Sequence, residues 1–429
     1  MATNKLLLKN CKLIVTQDEQ RRILENEDIL IEDGKISKIG KINASCPSID
    51  CSEKVVMPGL VNLHTHTITN MLRGVSDDLK LQDWLEKKVW PAEAKIDSMY
   101  FGSLLTCIES IKNGTTCMMD MSTQMENIIK AVRETGIRAF LGRCMIDLFK
   151  KEDADVKITE TRKFVEGISG DPLITPTISA HAPNTCSEYL LRAAVAMAKE
   201  YNLINQTHIL ETEPEIGVVK RKTGMGVMEY LERIGFLDER TVGVHLCWLD
   251  EKGVKLMAKH NSAGVHCPVS NMKLASGSRM PLDKMLELRV RIGLGTDSVA
   301  SNNNLDIFEE MKQVGLLHKY SLNDPTAMPG QVILDLATIN PALMLGIKIG
   351  TIAPGYLADI ITLSTNNPKL VPLSPSNVVS HIIYSISGSD VTDTIVNGNV
   401  LMENRKLLVI DELIALARIQ CYFKERNLF

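Results

Sequence analysis

The spacing of hydrophobic residues divides this chain into three stretches. Over residues 1–57 they fall in short runs or alternate with polar residues. Leu6-Leu7-Leu8 and Lys12-Leu13-Ile14-Val15 are runs, and Asp28-Ile29-Leu30-Ile31-Glu32 leads into Asp33-Gly34. Asp-Gly between two strand-like runs marks a tight hairpin, continued here by the alternating Lys35-Ile36-Ser37-Lys38-Ile39-Gly40. Met57-Pro58-Gly59 then punctuates the chain.

From Leu60 to about Gly350 the texture changes, and short apolar segments alternate with longer ones of helical period. The strand candidates are Leu60–His64, Thr115–Met119, Arg138–Cys144, Leu173–Ala180, Ile204–Leu210, Thr241–Leu246, Gly264–Pro268 and Val290–Gly295. Between them, Glu188–Glu200 and Asp250–His260 place apolar residues at i, i+3 and i+4. Eight such strands alternating with helices fit a (β/α)8 TIM-type barrel. The rival, a doubly wound open sheet, usually carries a glycine-rich nucleotide loop after its first strand, and none is present.

After Gly350 the β texture returns. Gly350-Thr351-Ile352-Ala353-Pro354-Gly355 reads as a turn and Ala358–Leu363 as a strand, and Asn397-Gly398 is a second hairpin signal. A 57-residue head and a 79-residue tail are each too small to bury much core. The expected fold class is therefore α/β. A barrel domain over 58–350 would be flanked by a small discontinuous β-sandwich domain made from 1–57 and 351–429.

Composition narrows the function. Hydrophobic residues make up 45% and charged residues 23%, the balance of a globular protein, and the net charge is −4. That excludes a broadly basic nucleic-acid binder and gives no reason to expect an anionic membrane partner. Aromatics at 4% are too few for a base-stacking groove. Ten scattered cysteines with no C-x-x-C pair read as buried free thiols in a reducing compartment. No secretory-signal pattern opens the sequence, and no apolar run approaches the ~20 residues of a membrane span, so the expected location is cytoplasmic.

The candidate chemistry sits at strand ends. His64-Thr65-His66 closes the first barrel strand, and residues two apart on a strand face the same way, so both imidazoles can reach one metal ion. Alone, the motif reads equally well as a polar strand end. However, His181, His208 and His245 also fall at C-terminal strand ends, where such barrels build their active sites. His266 reads as a packing residue, and His260, His318 and His381 occupy helical or surface-like contexts. Asp297 follows the last barrel strand; it can cap a helix or close a turn, or complete a histidine–carboxylate metal site. Glu211 lies three residues past His208, within reach of a substrate, as a carboxyl able to shuttle a proton. Glu213 and Glu215 read as helix-start acids.

These pieces resemble the amidohydrolase superfamily over nearly the whole chain. The likeness rests on Met57-Pro58-Gly59-Leu60-Val61-Asn62-Leu63-His64-Thr65-His66, the His208 and His245 strand ends, and Gly295-Thr296-Asp297-Ser298. Within the superfamily the chain is similar to the 5-methylthioadenosine/S-adenosylhomocysteine deaminase group. Leu72-Arg73-Gly74-Val75-Ser76-Asp77-Asp78-Leu79, Trp90-Pro91-Ala92-Glu93-Ala94-Lys95, Ser179-Ala180-His181-Ala182-Pro183, His208-Ile209-Leu210-Glu211-Thr212 and Pro268-Val269-Ser270-Asn271 carry that match. The resemblance implies one divalent ion per subunit, Zn2+ with Fe2+ or Mn2+ as alternatives, held by His64, His66, His208 and Asp297. Binuclear relatives use a carboxylated lysine at the end of the fourth strand. This strand ends in His181 with no lysine nearby, which favours one metal.

By the same resemblance, the activity is hydrolytic deamination of an adenosine-type nucleoside. Water activated at the ion attacks C6 of the adenine ring. Asp297 would accept its proton, His245 would orient it, and Glu211 would protonate the ring nitrogen and also contact the substrate. Glu93 would grip the ribose hydroxyls, His181 the purine and Arg143 the 5′ substituent. On the residues alone, Glu93 reads as a helix surface residue and Arg143 as an ordinary ion-pair partner. The partner set implied is a small-molecule nucleoside in a homo-oligomer, with no nucleic acid and no membrane. One departure concerns the 5′ group: Asp147-Leu148-Phe149-Lys150-Lys151-Glu152-Asp153 has lysines but no arginine before Arg162. A lysine lacks the bidentate geometry expected for an amino-acid carboxylate, which leaves methylthio, 5′-deoxy and hydroxyl substituents open. The alternative activity on this scaffold is a deaminase or chlorohydrolase of another purine, a pterin or a triazine. The H-x-E…P-C-x-x-C signature of nucleic-acid deaminases is absent.

Overall fold

The computed structural model describes residues 5–75, 77–79, 83, 85–93, 95–96, 98–168 and 170–426, without the side chains of Leu85, Trp90 and Glu93. Five strands open the chain: β1 (Lys5–Val15), β2 (Ile23–Glu32), β3 (Lys35–Gly40), β4 (Ser48–Asp50) and β5 (Lys54–Pro58). Eight parallel strands then pair strictly in sequence order. They are β6 (Leu60–Thr65), β7 (Thr115–Ser122), β8 (Arg138–Met145), β9 (Ile174–Ala180), β10 (Asn205–Ile209), β11 (Thr241–His245), β12 (Ala263–His266) and β13 (Ile292–Leu294). All eight barrel strands expected from the sequence are present.

The barrel closes between its first and last strands at the C-terminal rim. The amides of Thr296 and Asp297 donate to the His64 carbonyl at 3.1 and 2.9 Å, and Thr65 bridges to Asp297 in parallel register. The closing contact thus sits on the residues the sequence marks for metal binding.

The chain ends with β14 (Ile360–Ser364), β15 (Val391–Val396), β16 (Asn399–Glu403) and β17 (Lys406–Leu407). Both termini build one nine-stranded mixed sheet in the order β17-β16-β15-β14-β5-β1-β2-β3, with β4 on β1. The β layer expected from both ends is therefore a single hydrogen-bonded sheet. It curls back on itself where Lys35 bridges to Leu357, around a core that includes Leu8, Ile14, Ile29, Ile31 and Ile360. Its two Asx-Gly turns adopt the expected left-handed pairs, with φ of 49° and 79° at Asp33-Gly34 and 51° and 76° at Asn397-Gly398. The turns abut so closely that a Cβ on Gly398 would lie 2.8 Å from Gly34 Cα. A buried ion pair ties this sheet to the barrel. Arg138, at the start of β8, holds both oxygens of Asp359 at 2.9 and 3.1 Å.

The tail also contains helices that its β texture did not predict, Val378–Tyr384 and Glu412–Glu425. The second buries Ala415, Ile419 and Tyr422, an i, i+4, i+7 stripe, and the Tyr422 ring packs tilted against Phe101 of the Tyr100–Lys112 helix, centroids 4.7 Å apart. Docking on the barrel supplies the burial that makes this helix stable. Among the described residues, no helix is long and apolar enough to cross a membrane.

Candidate metal centre and active site

Five side chains converge at the C-terminal mouth of the barrel. His208 Nε2 on β10 lies 3.2 Å from His64 Nε2 on β6. The Asp297 Oδ1 atom, just past β13, lies 3.5 Å from His64 Nε2 and 3.4 Å from His66 Nε2. His245, the last residue of β11, completes a second close group with His64 and His208. Chain conformation aims these groups: Asp297 and His245 adopt left-handed φ of 63° and 75°, uncommon for residues with a side chain and concentrated at functional sites.

The surrounding atoms fix which ring nitrogen points inward. His66 Nδ1 meets the Met121 carbonyl at 2.5 Å and His208 Nδ1 meets the His181 carbonyl at 2.7 Å. A carbonyl only accepts, so each Nδ1 carries the proton and each Nε2 is free to ligate. Asp297 is oriented likewise: its Oδ2 accepts the Ser270 and Ser301 hydroxyls at 2.6 and 2.9 Å, leaving Oδ1 toward the histidines. Such outer partners set ligand direction and basicity.

Electrostatics agree with a cation at this point. Burial holds the His64 imidazole down to about 4 and drives His208 well below the usual histidine range, so both are neutral at pH 7, the form that can ligate a cation. His66 is the exception: burial disfavours its charge, yet the Asp297 carboxylate and then Asp120 hold it up to about 9. The same contacts overcome burial at Asp297 and keep its carboxyl well below the usual carboxylate range. Without an ion, a proton on His66 therefore answers the Asp297 charge, and binding a cation would release it. The spacing fits as well. Bonds of ~2.0–2.1 Å in a tetrahedron give ligand–ligand edges of roughly 3.3–3.4 Å, close to those observed. The donor set is that of a divalent metal site.

Beside this cluster opens a pocket of about 890 Å³, mouth included. Its floor carries His66, His208, His245, Glu211 and Asp297, and Ile68, Met121, Ile146 and Leu274 line its walls. Glu211 Oε2 faces His245 Nε2 at 3.8 Å. Burial, reinforced by the Asp297 charge, pushes the Glu211 carboxyl up to about 8, so it carries a proton at neutral pH. Burial holds His245 down to about 4, and the Asn271 side-chain amide fixes its Nδ1 at 3.0 Å. His181 also lines the pocket, with Nδ1 on the Thr185 hydroxyl at 2.9 Å, and burial holds it down to about 3.

Two substrate-binding expectations fare differently. The Glu93 side chain lies outside the described residues. Arg143 faces the Lys151–Ile168 helix, where Nε and a terminal nitrogen hold Glu160 at 3.1 and 2.6 Å. The next residue of β8, Cys144, lines the pocket instead. His266 packs outside the site, Nε2 to Nε2 at 3.2 Å with His318, which is fully buried despite its surface-like sequence context. Sequence reasoning missed Ser270, Ser301 and Asn271 as supports. Ser270 and Asn271 lie in a motif that carried the family likeness, but no spacing ties them to Asp297 and His245.

Comparison with known proteins sharpens the picture. The chain is 43% identical over 414 residues to a 5′-deoxyadenosine deaminase of Methanosarcina acetivorans, covering 95% of each. It is 39% identical over 415 residues to a 5-methylthioadenosine/S-adenosylhomocysteine deaminase of Pyrococcus furiosus, covering 95% of this chain and 97% of the relative. Among solved structures, a zinc-bound adenosine deaminase from Xanthomonas campestris superposes with a TM-score of 0.93 at 28% identity, over 99% of both chains. The amidohydrolase family profile matches residues 55–401, from β5 through the barrel into β16. With that match spanning the barrel and every residue of the histidine–carboxylate cluster, the chain belongs to the amidohydrolase family.

Proposed function

We propose that this protein is a metal-dependent hydrolytic deaminase that converts an adenosine-type nucleoside to its inosine analogue and ammonia. The observation that carries the reading is the pairing, in one pocket, of a histidine–carboxylate cluster with the half-buried Glu211 carboxyl facing His245. The names of the 39–43% identical relatives support the substrate class, and the zinc-bound neighbour supports Zn2+ as the ion.

His64, His66, His208 and Asp297 would hold the ion, which supplies Lewis-acid activation of water at neutral pH. Asp297, with Oδ2 tied to two serines, offers Oδ1 to accept the proton of the attacking water. His245, neutral and braced by Asn271, directs that water at C6 of the adenine and steadies the developing charge. Glu211 delivers its proton to the adjacent ring nitrogen as the C6–O bond forms; the proton that Asp297 accepted passes to the amino group, which leaves as ammonia as the C6–N bond breaks, and the remaining hydroxyl proton returns to Glu211. His181 contacts the purine from the β9 side of the pocket. Glu93 is proposed for the ribose hydroxyls and Arg143 for the 5′ substituent, on the family likeness.

Incubation with adenosine, 5′-deoxyadenosine, 5′-methylthioadenosine and S-adenosylhomocysteine in parallel, followed by ultraviolet absorbance, tests the proposal. Loss of the amino group from at least one is expected. Turnover of none, with conversion of a free purine, pterin or triazine instead, would transfer the chain to the alternative activity.

A further inference from the structure

Glu215 is a buried carboxylate that the mechanism does not use. It is only 3% exposed and is not among the described residues lining the pocket. It is the third residue of the Glu213–Thr223 helix, whose N-cap Thr212 makes no side-chain cap bond. A glutamate at this third position ordinarily reaches back to the N-cap amide to complete a capping box. Glu215 reaches further. Its Oε1 accepts the Leu210 amide at 2.9 Å and its Oε2 accepts the Glu211 amide at 3.0 Å. Both oxygens thus grip the two residues that lead from the His208 strand into the pocket.

Those two residues need the grip. Leu210 adopts a left-handed φ of 54°, a conformation that costs a residue with a Cβ on the order of 1–2 kcal/mol. Its side chain is buried, so the turn is not a solvent-relaxed loop. The reversal at Leu210 ends β10 at Ile209 and lets Glu211 face His245 beside the histidine–carboxylate cluster. Charge-assisted bonds from a carboxylate to two consecutive amides are the kind of support that keeps a strained turn in place. The two amide bonds oppose the rise that burial imposes on the Glu215 carboxyl, favouring the charged form that accepts at both oxygens.

We infer that Glu215 is a positioning residue for Glu211, clamping the left-handed Leu210–Glu211 turn that aims the Glu211 carboxyl at the substrate. The inference rests on the proposed deaminase reading for its kinetic consequence, whereas the clamp can be read without turnover.

The test compares wild type, Glu215→Gln, Glu211→Gln and the double variant on a nucleoside that wild type deaminates. Gln keeps the volume of Glu but turns one acceptor into a donor facing an amide. Since an ~1 Å misplacement of a reacting group costs about 10²-fold, kcat should fall by about that factor in Glu215→Gln. KM should stay within about threefold and metal content unchanged. In the Glu211→Gln background the second change should cost nothing further, because a residue acting only through another is non-additive with it. Glu215→Asp, which keeps the charge and loses the reach, should show the same kcat loss. A crystal structure of Glu215→Gln should show Leu210 out of the left-handed region or the Glu211 carboxyl withdrawn from His245. Near-normal kcat in both Glu215 variants, a multiplicative loss in the double variant, or an unchanged turn in the crystal would overturn the inference. If wild type deaminates no nucleoside, the functional reading falls, and the crystal comparison still decides whether Glu215 holds the turn.

Discussion

Replacing Glu211 with glutamine removes one transferable proton and almost nothing else. The side chain keeps its shape and lies 3.8 Å from His245 Nε2 in a largely buried pocket. With its carboxyl raised to about 8, Glu211 at pH 7 is protonated in roughly ten molecules for each one ionised. The native group is thus stocked with the proton that the ring nitrogen needs, and an amide has none to give. General acid catalysis contributes about 10²–10⁴-fold, so Glu211→Gln should lower kcat by that factor, or about 2.7–5.4 kcal/mol of barrier. Metal content should be retained, because Asp297 and the histidines proposed to hold the ion are untouched. The assay follows ultraviolet absorbance of the nucleoside together with metal analysis of the same sample. Wild-type kcat/KM should decline as pH rises past about 8, where Glu211 loses its proton, and the variant should lack that limb. Stability gives an independent check in the metal-free protein. The folded value, about 8, lies above the unfolded value of roughly 4.3, so stability from this group is complete below the unfolded value. It is lost progressively as pH rises to about 8, and the variant should gain on wild type across that window. A variant rate within tenfold of wild type would refute the proton-donor role.

Further outcomes follow from the supports of the site. Removing both hydroxyls on Asp297 Oδ2, by Ser270→Ala with Ser301→Ala, should weaken metal affinity about 10–100-fold in a chelator competition; unchanged affinity would remove the serines from the ligand's support. Stripping the metal should abolish turnover and lower the melting temperature, with Zn2+ restoring both, since an ion at a thousand times its Kd stabilises by about 4 kcal/mol. A chelated protein melting as before would contradict a resident ion. Arg143→Gln should leave KM for 5′-deoxyadenosine, which has no polar 5′ group, within about threefold and raise KM for S-adenosylhomocysteine about tenfold, while its surface pair with Glu160 costs no more than about 1 kcal/mol of stability. Equal KM effects on both substrates would remove Arg143 from the 5′ substituent. Arg138→Met strands the buried Asp359 charge and should cost about 3–5 kcal/mol in denaturant unfolding, and a neutral effect would show that the pair is not needed.

The barrel was legible because its signals are local. A strand buried on both faces writes a continuous apolar run, and each of the eight runs formed a strand within a few residues of its expected bounds. The Asp33-Gly34 and Asn397-Gly398 turns were equally readable, since only the left-handed pair closes such a hairpin. The strand-end positions of His64, His66, His208 and His245 were visible for the same reason: strand ends can be counted. The Glu412–Glu425 helix was not legible as part of a β-rich tail. Its stripe of Ala415, Ile419 and Tyr422 acquires meaning only against Phe101, more than 300 residues earlier.

What the tertiary structure alone decided is direction. Sequence placed Asp297 beside a turn, but closure of β13 on His64 turned its Oδ1 to the histidines and its Oδ2 to Ser270 and Ser301. Sequence read Glu215 as a helix-start acid, which it is, but the fold bent the preceding turn onto it. Sequence put Arg143 and Cys144 side by side on β8, and the fold pairs Arg143 with Glu160 while Cys144 lines the pocket. Residue type and strand position are properties of short segments, fixed by composition and period. Which atom of a side chain faces a site depends on partners brought up by the fold, some four residues away, as Ser301 is from Asp297, and others hundreds away, as His64 is, and residue type and period do not record them.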